Sequence, residues 1–377
     1  MKILVLPRED TNPYQELLYG EMRRRGARVT YLGELTPSHT LNLLLLPLEM
    51  AIRRFGGARV VHLHWTYAFG LHGSDTSGTV RLAAEAWFTV WLWVLRLLDI
   101  RLVWTAHNVL PQAPVFADDV RGRRRLVAAC DLVIAHSKAT LEHLAALGIV
   151  PRRSAVIPHG PFAEAVESVS LRAPGEGHTT RQLLFFGKIR PYKGVDTLLE
   201  AFAALPPELD AHLTVAGECG DSSLAAELTG LASRTHGRIT LRLEWISEGE
   251  ASRLLYLADA VVLPYRKITT SGSGVLALSH GRPLIVPDLP GLAELPDDAV
   301  IRYDGTALGL RDVLASIIDA DAGVLAKMSS AAYEYCASMS WSQIADKTLA
   351  EITRCLATSC RKASSDQINA QSLRDGE

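Results

Sequence analysis

Short, almost wholly apolar runs recur along this 377-residue chain, each followed by a turn and then, in most cases, by apolar residues at helical spacing. Lys2 to Pro7, Val60 to His64, Leu102 to Thr105, Leu132 to Ala135 and Ala155 to Pro158 are the runs of the first half. Leu183 to Phe186, Leu213 to Gly217, Ile239 to Leu243, Ala260 to Leu263 and Leu284 to Val286 repeat the pattern in the second. A strand with one wet face alternates apolar and polar residues. One that does not alternate is covered on both faces, which among intervening helices means a parallel sheet between two helical layers. The chain is too long for one ordinary core, and its 48% apolar content can fill two. An α/β protein of two doubly wound parallel-sheet domains is therefore expected.

The first domain is expected over residues 1–165 and the second over 182–340. Between them, 166–181 is rich in serine, proline, glycine and threonine with little periodicity, and reads as the linker. Near the N-terminus, Asn12 and Pro13 give an N-cap and a first-turn proline for a helix that runs through Leu17, Leu18 and Met22 to Gly26. From Arg361 to Glu377 the sequence is polar and is expected to be disordered.

Composition excludes several classes of function. A formal net charge of -2 leaves no electrostatic footprint for nucleic acid. Cys130, Cys219, Cys336, Cys355 and Cys360 form no CxxC pair, and their odd number argues against a disulfide framework. With an N-terminus that lacks the pattern of a signal peptide, they point to the cytoplasm. His62, His64, His72 and His107 lack the spacing of a zinc site, so no metal is expected. The most apolar stretch, Ala83 to Leu98, carries Glu85 and Arg96 and is short for a bilayer span. Two placements compete for it. It packs as a buried helix under the sheet, or Trp87, Trp91 and Trp93 rest on a membrane, helped by Arg121, Arg123, Arg124 and Arg125. A plain solvated face is the other reading of that arginine run.

Two turns carry the chemistry. In FFGKIRPYKG, the strand Leu183 to Phe186 passes through Gly187, Lys188, Arg190, Lys193 and Gly194 into a helix. Cations over a helix N-terminus are a way to hold phosphate. Some eighty residues later, the strand ending at Tyr265 is followed by Arg266 to Thr270 and then by Ser271, Gly272, Ser273 and Gly274 at another helix start. Small residues there let backbone N–H groups approach an anion. Both turns lie at the carboxyl edge of one sheet, where open α/β sheets bind ligands, and together they suggest a diphosphate site.

FGKIRPYKG, LPYRKITTSGSG and HGRPLIVPDLPGLAEL resemble the C-terminal half of bacterial glycosyltransferases of the GT-B fold, family 4, and NPYQELLYGEMRRRGARV and VWTAHNVLP resemble the N-terminal half. The resemblance spans roughly residues 1 to 358. It implies two Rossmann-like domains facing a central cleft, and a terminal helix over 341–358 that crosses back to the first. It also implies a hexosyltransferase acting on a nucleotide sugar as co-substrate, retaining and without cofactor or metal, with a carbohydrate, glycolipid or small-molecule acceptor. Peripheral contact with the inner face of a membrane would suit a lipid-linked acceptor.

Residue by residue, the resemblance gives His107 a place at the reacting centre and Lys188, Arg190, Lys193 and Ser271 to Gly274 the donor diphosphate. Where family members carry two glutamates eight positions apart, Ile268 and Leu276 stand here. Thr269, Thr270, Glu218 and Glu294 are then the candidates for sugar and nucleoside contacts. Asn12, His64, Trp65 and Asn108 are candidates for the acceptor side. Two rival readings are a sugar-nucleotide 2-epimerase of the same fold and a binding subunit without catalysis.

Overall fold

The computed structural model describes residues 1–10, 12–74, 76–111, 113–162, 179–235 and 237–372, with side chains as far as Ala357. Most of the expected linker, 166–178, lies outside the described residues. The chain divides into two compact units, Met1–Pro158 with Trp341–Glu377, and His159–Ser340.

In the first unit, β1 (Lys2–Leu6), β2 (Arg28–Tyr31), β3 (Val60–Leu63), β4 (Arg101–Ala106), β5 (Leu132–Ala135) and β6 (Ser154–Val156) form one sheet in the order β2-β1-β3-β4-β5-β6. Every pairing is parallel. The inner strands β3 and β5 are buried throughout, as their unbroken apolar runs require. β2 escapes the sequence pattern because it is an edge strand, half exposed, with polar residues between its apolar ones.

Helices cover both faces. α1 (Tyr14–Arg24) starts where the Asn12 side chain accepts the Tyr14 N–H at 3.0 Å, and the chain leaves it through Gly26 at φ 79°. It shares a core with the terminal helix α12 (Trp341–Ser372), through Tyr14, Leu18, Tyr19 and Met22 against Trp341, Ile344 and Ile352. Arg25 adds hydrogen bonds to Ser342 and Asp346. α12 runs into the tail for which disorder was expected, and no proline or glycine interrupts the sequence before Ser372.

The other face is covered by α2 (His39–Phe55), α3 (Gly78–Leu97), α4 (Asp119–Ala129) and α5 (Lys138–Ala146). α3 resolves the competition over its tryptophans residue by residue. Trp91 is fully buried among Phe69 and Phe88, Trp87 is half-buried with its Nε1 donating to the Leu43 carbonyl at 3.2 Å, and Trp93 is exposed. The arginine run after it serves the fold in large part. Arg121 and Arg125 pair with the buried Glu85, and Arg123 is buried with its guanidinium 4.3 Å from the Trp104 ring. Arg121, Arg124 and Arg125 remain exposed, so the run keeps a solvated face, with Arg121 and Arg125 held by Glu85 and Arg123 alone taken into the core.

The second unit repeats the plan with β7 (Arg181–Phe186), β8 (Ala211–Ala216), β9 (Ile239–Arg242), β10 (Ala260–Val262), β11 (Leu284–Pro287) and β12 (Val300–Tyr303), in the order β12-β11-β10-β7-β8-β9. Its helices are α6 (Val195–Ala203), α7 (Ser222–Ala232), α8 (Glu248–Leu257), α9 (Gly272–Ser279), α10 (Ala307–Ile318) and α11 (Ala322–Ala337). β12, the second strand the sequence pattern misses, is again an edge strand.

Trp91 and Trp93 sit two residues apart on one helix with opposite environments, so their truncations should separate. Trp91→Ala should cost about 3–5 kcal/mol in urea unfolding, whereas Trp93→Ala should change stability by less than about 0.5 kcal/mol.

Candidate active site

In the second unit, three glycines let backbone segments touch at the carboxyl edge of the sheet. A Cβ on Gly217, just past β8, would lie 2.1 Å from the Gly187 carbonyl oxygen. One on Gly194 (φ 68°), at the start of α6, would lie 2.0 Å from the carbonyl oxygen of Pro264. One on Gly187 itself would lie 2.7 Å from the Ser273 hydroxyl. The cationic loop, the turn after β8 and the first turn of α9 are thereby drawn together at van der Waals distance.

Lys193 is joined to the small-residue turn through Tyr265. Its ammonium donates to the Tyr265 hydroxyl at 3.4 Å and lies 4.5 Å from the ring centroid. The Tyr265 and Ser271 hydroxyls are 2.8 Å apart, and Ser271 Oγ accepts the Gly274 N–H at 2.9 Å, capping α9. An ammonium only donates, so Tyr265 accepts from Lys193 and passes its own proton to Ser271. Arg190 lies over the turn after β8, its Nη1 3.2 Å from where a Cβ of Gly220 would be. Lys188 is exposed beside them.

Among the described residues, no carboxylate pairs with Lys188, Arg190 or Lys193. The neighbouring Arg266 shows the contrast, held by Asp196, by Thr197 at 3.1 Å and by the Pro191 carbonyl at 2.8 Å. Next to Ser271, the Thr270 hydroxyl is buried without a hydrogen-bond partner. Three cations without counter-charge and an orphaned hydroxyl beside a helix N-terminus make a site complementary to a multiply charged anion.

The remaining candidates of this unit flank that centre. A Cβ on Gly291 would lie 2.2 Å from the Ile268 carbonyl oxygen, so the turn after β11 packs on the backbone that leads into Thr269. Glu294, a little further on, is exposed. Glu218 is exposed too and contributes its carbonyl, which accepts the Ile189 N–H at 2.9 Å. Ile268 and Leu276 pack against the core of the unit.

In the first unit, the histidines are organised by strand register. His64, His107 and His136 each stand one residue past the end of β3, β4 and β5, three adjacent strands. His107 Nε2 is 2.9 Å from His64 Nδ1, and its Nδ1 is 3.3 Å from His136 Nε2. Tyr19 Oη lies 2.6 Å from His64 Nε2 and 2.8 Å from His62 Nδ1, and His62 Nε2 lies 2.7 Å from Thr105 Oγ1.

One backbone group assigns every proton in this chain. His136 Nδ1 faces the Ile157 carbonyl at 3.0 Å, and a carbonyl only accepts. With all four rings neutral, His136 Nδ1 therefore carries hydrogen and its Nε2 accepts from His107 Nδ1. His107 Nε2 then accepts from His64, His64 Nε2 accepts from Tyr19, Tyr19 accepts from His62, and His62 accepts from Thr105. Burial enforces neutrality at two of the rings, lowering His62 to about 3 and holding His64 well below its usual value.

Trp65 stacks on His107 at 4.4 Å between centroids and 17° between planes. The structure thus brings His64, Trp65 and His107 together, with Asn108 half-buried next in sequence. The N-cap of α1 is Pro13, not Asn12 as expected, and the Asn12 side chain is engaged one residue earlier, accepting the Tyr14 N–H. His136, Tyr19 and Tyr265 had not been singled out from the sequence. His136 was findable, because it follows a buried strand run in the same position as His64 and His107; the two tyrosines carry no such signal.

Residues 180–320 match the family described as glycosyl transferases group 1, and residues 82–161 match glycosyltransferase family 4. The chain is 28% identical over 308 residues to GDP-mannose:glycolipid 4-beta-D-mannosyltransferase of Xanthomonas campestris pv. campestris, covering 79% of this chain and 77% of that protein. A sucrose-phosphate synthase from Thermosynechococcus elongatus superposes with a TM-score of 0.71 at 16% identity, covering 95% of this chain and 99% of that one. The chain is a glycosyltransferase of the GT-B fold and the family 4 type. This glycosyltransferase is also 27% identical to D-inositol 3-phosphate glycosyltransferase of Mycolicibacterium vanbaalenii, over 73% of this chain and 64% of that protein. HepE of Anabaena, solved in complex with UDP, shares the fold at a TM-score of 0.70 and 17% identity, over 94% of this chain and 100% of that one. The epimerase and non-catalytic readings give way to a transferase.

The buried histidines predict acid sensitivity. Unfolded, His62 takes up its proton at its ordinary value; folded, it stays neutral down to about 3. The unfolded state binds more protons over that interval, so stability should fall as pH drops through it. Urea unfolding of His62→Gln between about pH 7 and about pH 4.5 should show a pH slope shallower than that of the parent by about one proton.

Proposed function

We propose that this glycosyltransferase moves a sugar from a nucleoside-diphosphate sugar to an acceptor hydroxyl of a glycan, glycolipid or small molecule, with retention at the anomeric carbon and without a metal. The observation that carries this reading is the group of unpaired cations, Lys188, Arg190 and Lys193, beside the orphaned Thr270 hydroxyl and the start of α9. The relatives support the classes of donor and acceptor. The Xanthomonas relative is named for GDP-mannose and a glycolipid, and the Anabaena neighbour holds UDP.

The chemistry follows from charge. When the glycosidic bond to the diphosphate breaks, negative charge gathers on the leaving phosphate oxygens. Lys193, Arg190 and the amides of Ser271 to Ser273 are fixed donors for that charge, so they bind the transition state better than the intact donor. Lys193 is oriented in advance, because Tyr265, itself bonded to Ser271, holds its ammonium. This arrangement does the work that a divalent cation does in other phosphate sites. Ile268 and Leu276 offer no carboxylate to act as base or nucleophile, so the departing phosphate takes the acceptor's proton on the same face of the sugar, which preserves configuration. Thr269 and Thr270 contribute the polar contacts to the sugar and nucleoside.

The first unit's contribution is the acceptor side, Trp65 and Asn108 around His107. Both ring nitrogens of His107 are engaged, so it contacts a ligand by exchanging His64 or His136 for it, and the tautomer set by Ile157 decides which nitrogen donates.

Lys193→Ala should lower kcat/KM by about two to three orders of magnitude with an unchanged melting temperature, and near-normal turnover would remove the clamp assignment. Thr270→Val, nearly isosteric, should raise the donor KM more than it lowers kcat. Turnover in excess EDTA should match that in magnesium; loss of activity on chelation would contradict the metal-free mechanism.

A further inference from the structure

The wet side of the first unit carries two apolar stripes that the transfer reaction does not use. α2 turns Leu43, Leu46 and Met50 into the core, yet its opposite side is Leu41, Leu44, Leu48, Ile52 and Phe55, all exposed, Phe55 by 88%. α3 turns Ala84, Phe88, Trp91 and Leu95 inward, and outward it presents Leu82, Val90, Trp93 and Leu97, the last two exposed by 67% and 70%. The outward positions recur at three- and four-residue spacing, or at eight from Leu82 to Val90, which is again about a whole number of turns, so each set is one stripe. An ordinary surface helix reserves that side for polar residues.

The two stripes form one face. α2 and α3 lie side by side, tied near one end by Trp87 Nε1 to the Leu43 carbonyl at 3.2 Å and near the other by Arg54 Nε to the Leu98 carbonyl at 2.8 Å. Their inner sides fill the same core, so both outer sides point away from the sheet.

The charges on these helices select the occupant. Both acids, Glu49 and Glu85, are buried and bonded, Glu49 to the Gly33 N–H and, at 3.5 Å, to Arg53, and Glu85 to Arg121 and Arg125. The remaining charged side chains, Arg53, Arg54, Arg81 and Arg96, are all cations, at the ends of the stripes. Arg59 extends the rim, and the one carboxylate there, Asp99, is shared among Arg54, Arg59 and Arg101. A second copy laid on this face would set arginine against arginine. A negatively charged lipid surface matches both the apolar stripes and the rim.

We propose that the outer face of α2 and α3 seats the enzyme on an anionic membrane surface, with Leu44, Leu48, Ile52, Phe55 and Trp93 entering the headgroup and acyl boundary. It lies on the surface without spanning it, since no helix among the described residues is long and apolar enough to cross a membrane. The face differs from the one the sequence suggested. Trp91 leaves it for the core, Trp93 stays, and the arginines at the ends of the helices take the place of Arg121 to Arg125. The proposal does not depend on which donor the enzyme uses.

The test is flotation of the full chain with phosphatidylcholine vesicles, with and without phosphatidylglycerol. Binding should need phosphatidylglycerol and weaken with salt, and Trp93 emission should shift to the blue, a shift lost in Trp93→Phe. Leu48→Glu with Trp93→Glu should weaken vesicle binding by at least about tenfold at an unchanged melting temperature. Arg53→Gln with Arg54→Gln should weaken binding to anionic vesicles by roughly tenfold, and it carries the test if the glutamate pair does not fold. No binding to either vesicle would overturn the proposal, as would undiminished binding by both double variants. A dimer in solution that the glutamate pair dissociates would also overturn it, making the face a contact between copies of this chain.

Discussion

Unbalanced positive charge at the edge of the second sheet is the constraint on which the rest of the site depends. Lys188, Arg190 and Lys193 crowd into one loop, and the glycines at 187, 194 and 217 bring that loop against the start of α9 more closely than any side chain would allow. Holding like charges together without a counter-ion is unfavourable in the free protein. Nearby, Arg266 is neutralised by Asp196, so the fold has the means to quench a cation and does not apply them to these three. The cost is offset when an anion arrives, and more so as its charge grows toward a transition state.

The first unit solves the opposite problem. His62, His64 and Tyr19 are kept uncharged by burial, and one carbonyl, Ile157 O, sets the direction of the hydrogen bonds that run from them through His107 to His136. Such a chain polarises as a unit, so a ligand that alters one ring's partner alters the donor or acceptor character of the others. His107 therefore acts as one link in a chain that includes His64 and His136.

Much of this was legible in the sequence, and what was not has identifiable causes. Buried parallel strands such as β3 and β5 announce themselves by unbroken apolar runs, whereas the edge strands β2 and β12 do not. Lys193 and Ser271 could be read from their turns, but Tyr265, which joins them, looked like the end of a strand. Its hydroxyl finds its role only through the proximity that Gly194 permits. The histidine chain depends on strand register, which sets His107 level with His136 and His64 two residues short of them on the adjacent strand, within hydrogen-bond reach. On α3, helical spacing alone could not separate a core tryptophan from an exposed one two positions later, since the helix is apolar on both sides.

The most direct measurement is a calorimetric titration of the protein with a nucleoside, its monophosphate and its diphosphate, across the common bases and at low and high salt. Affinity should rise steeply with each phosphate for the matching base, and the diphosphate's advantage should shrink with salt and in Lys193→Ala. Equal affinities for nucleoside and diphosphate would contradict the account, because the unpaired cations would then have no anion to hold.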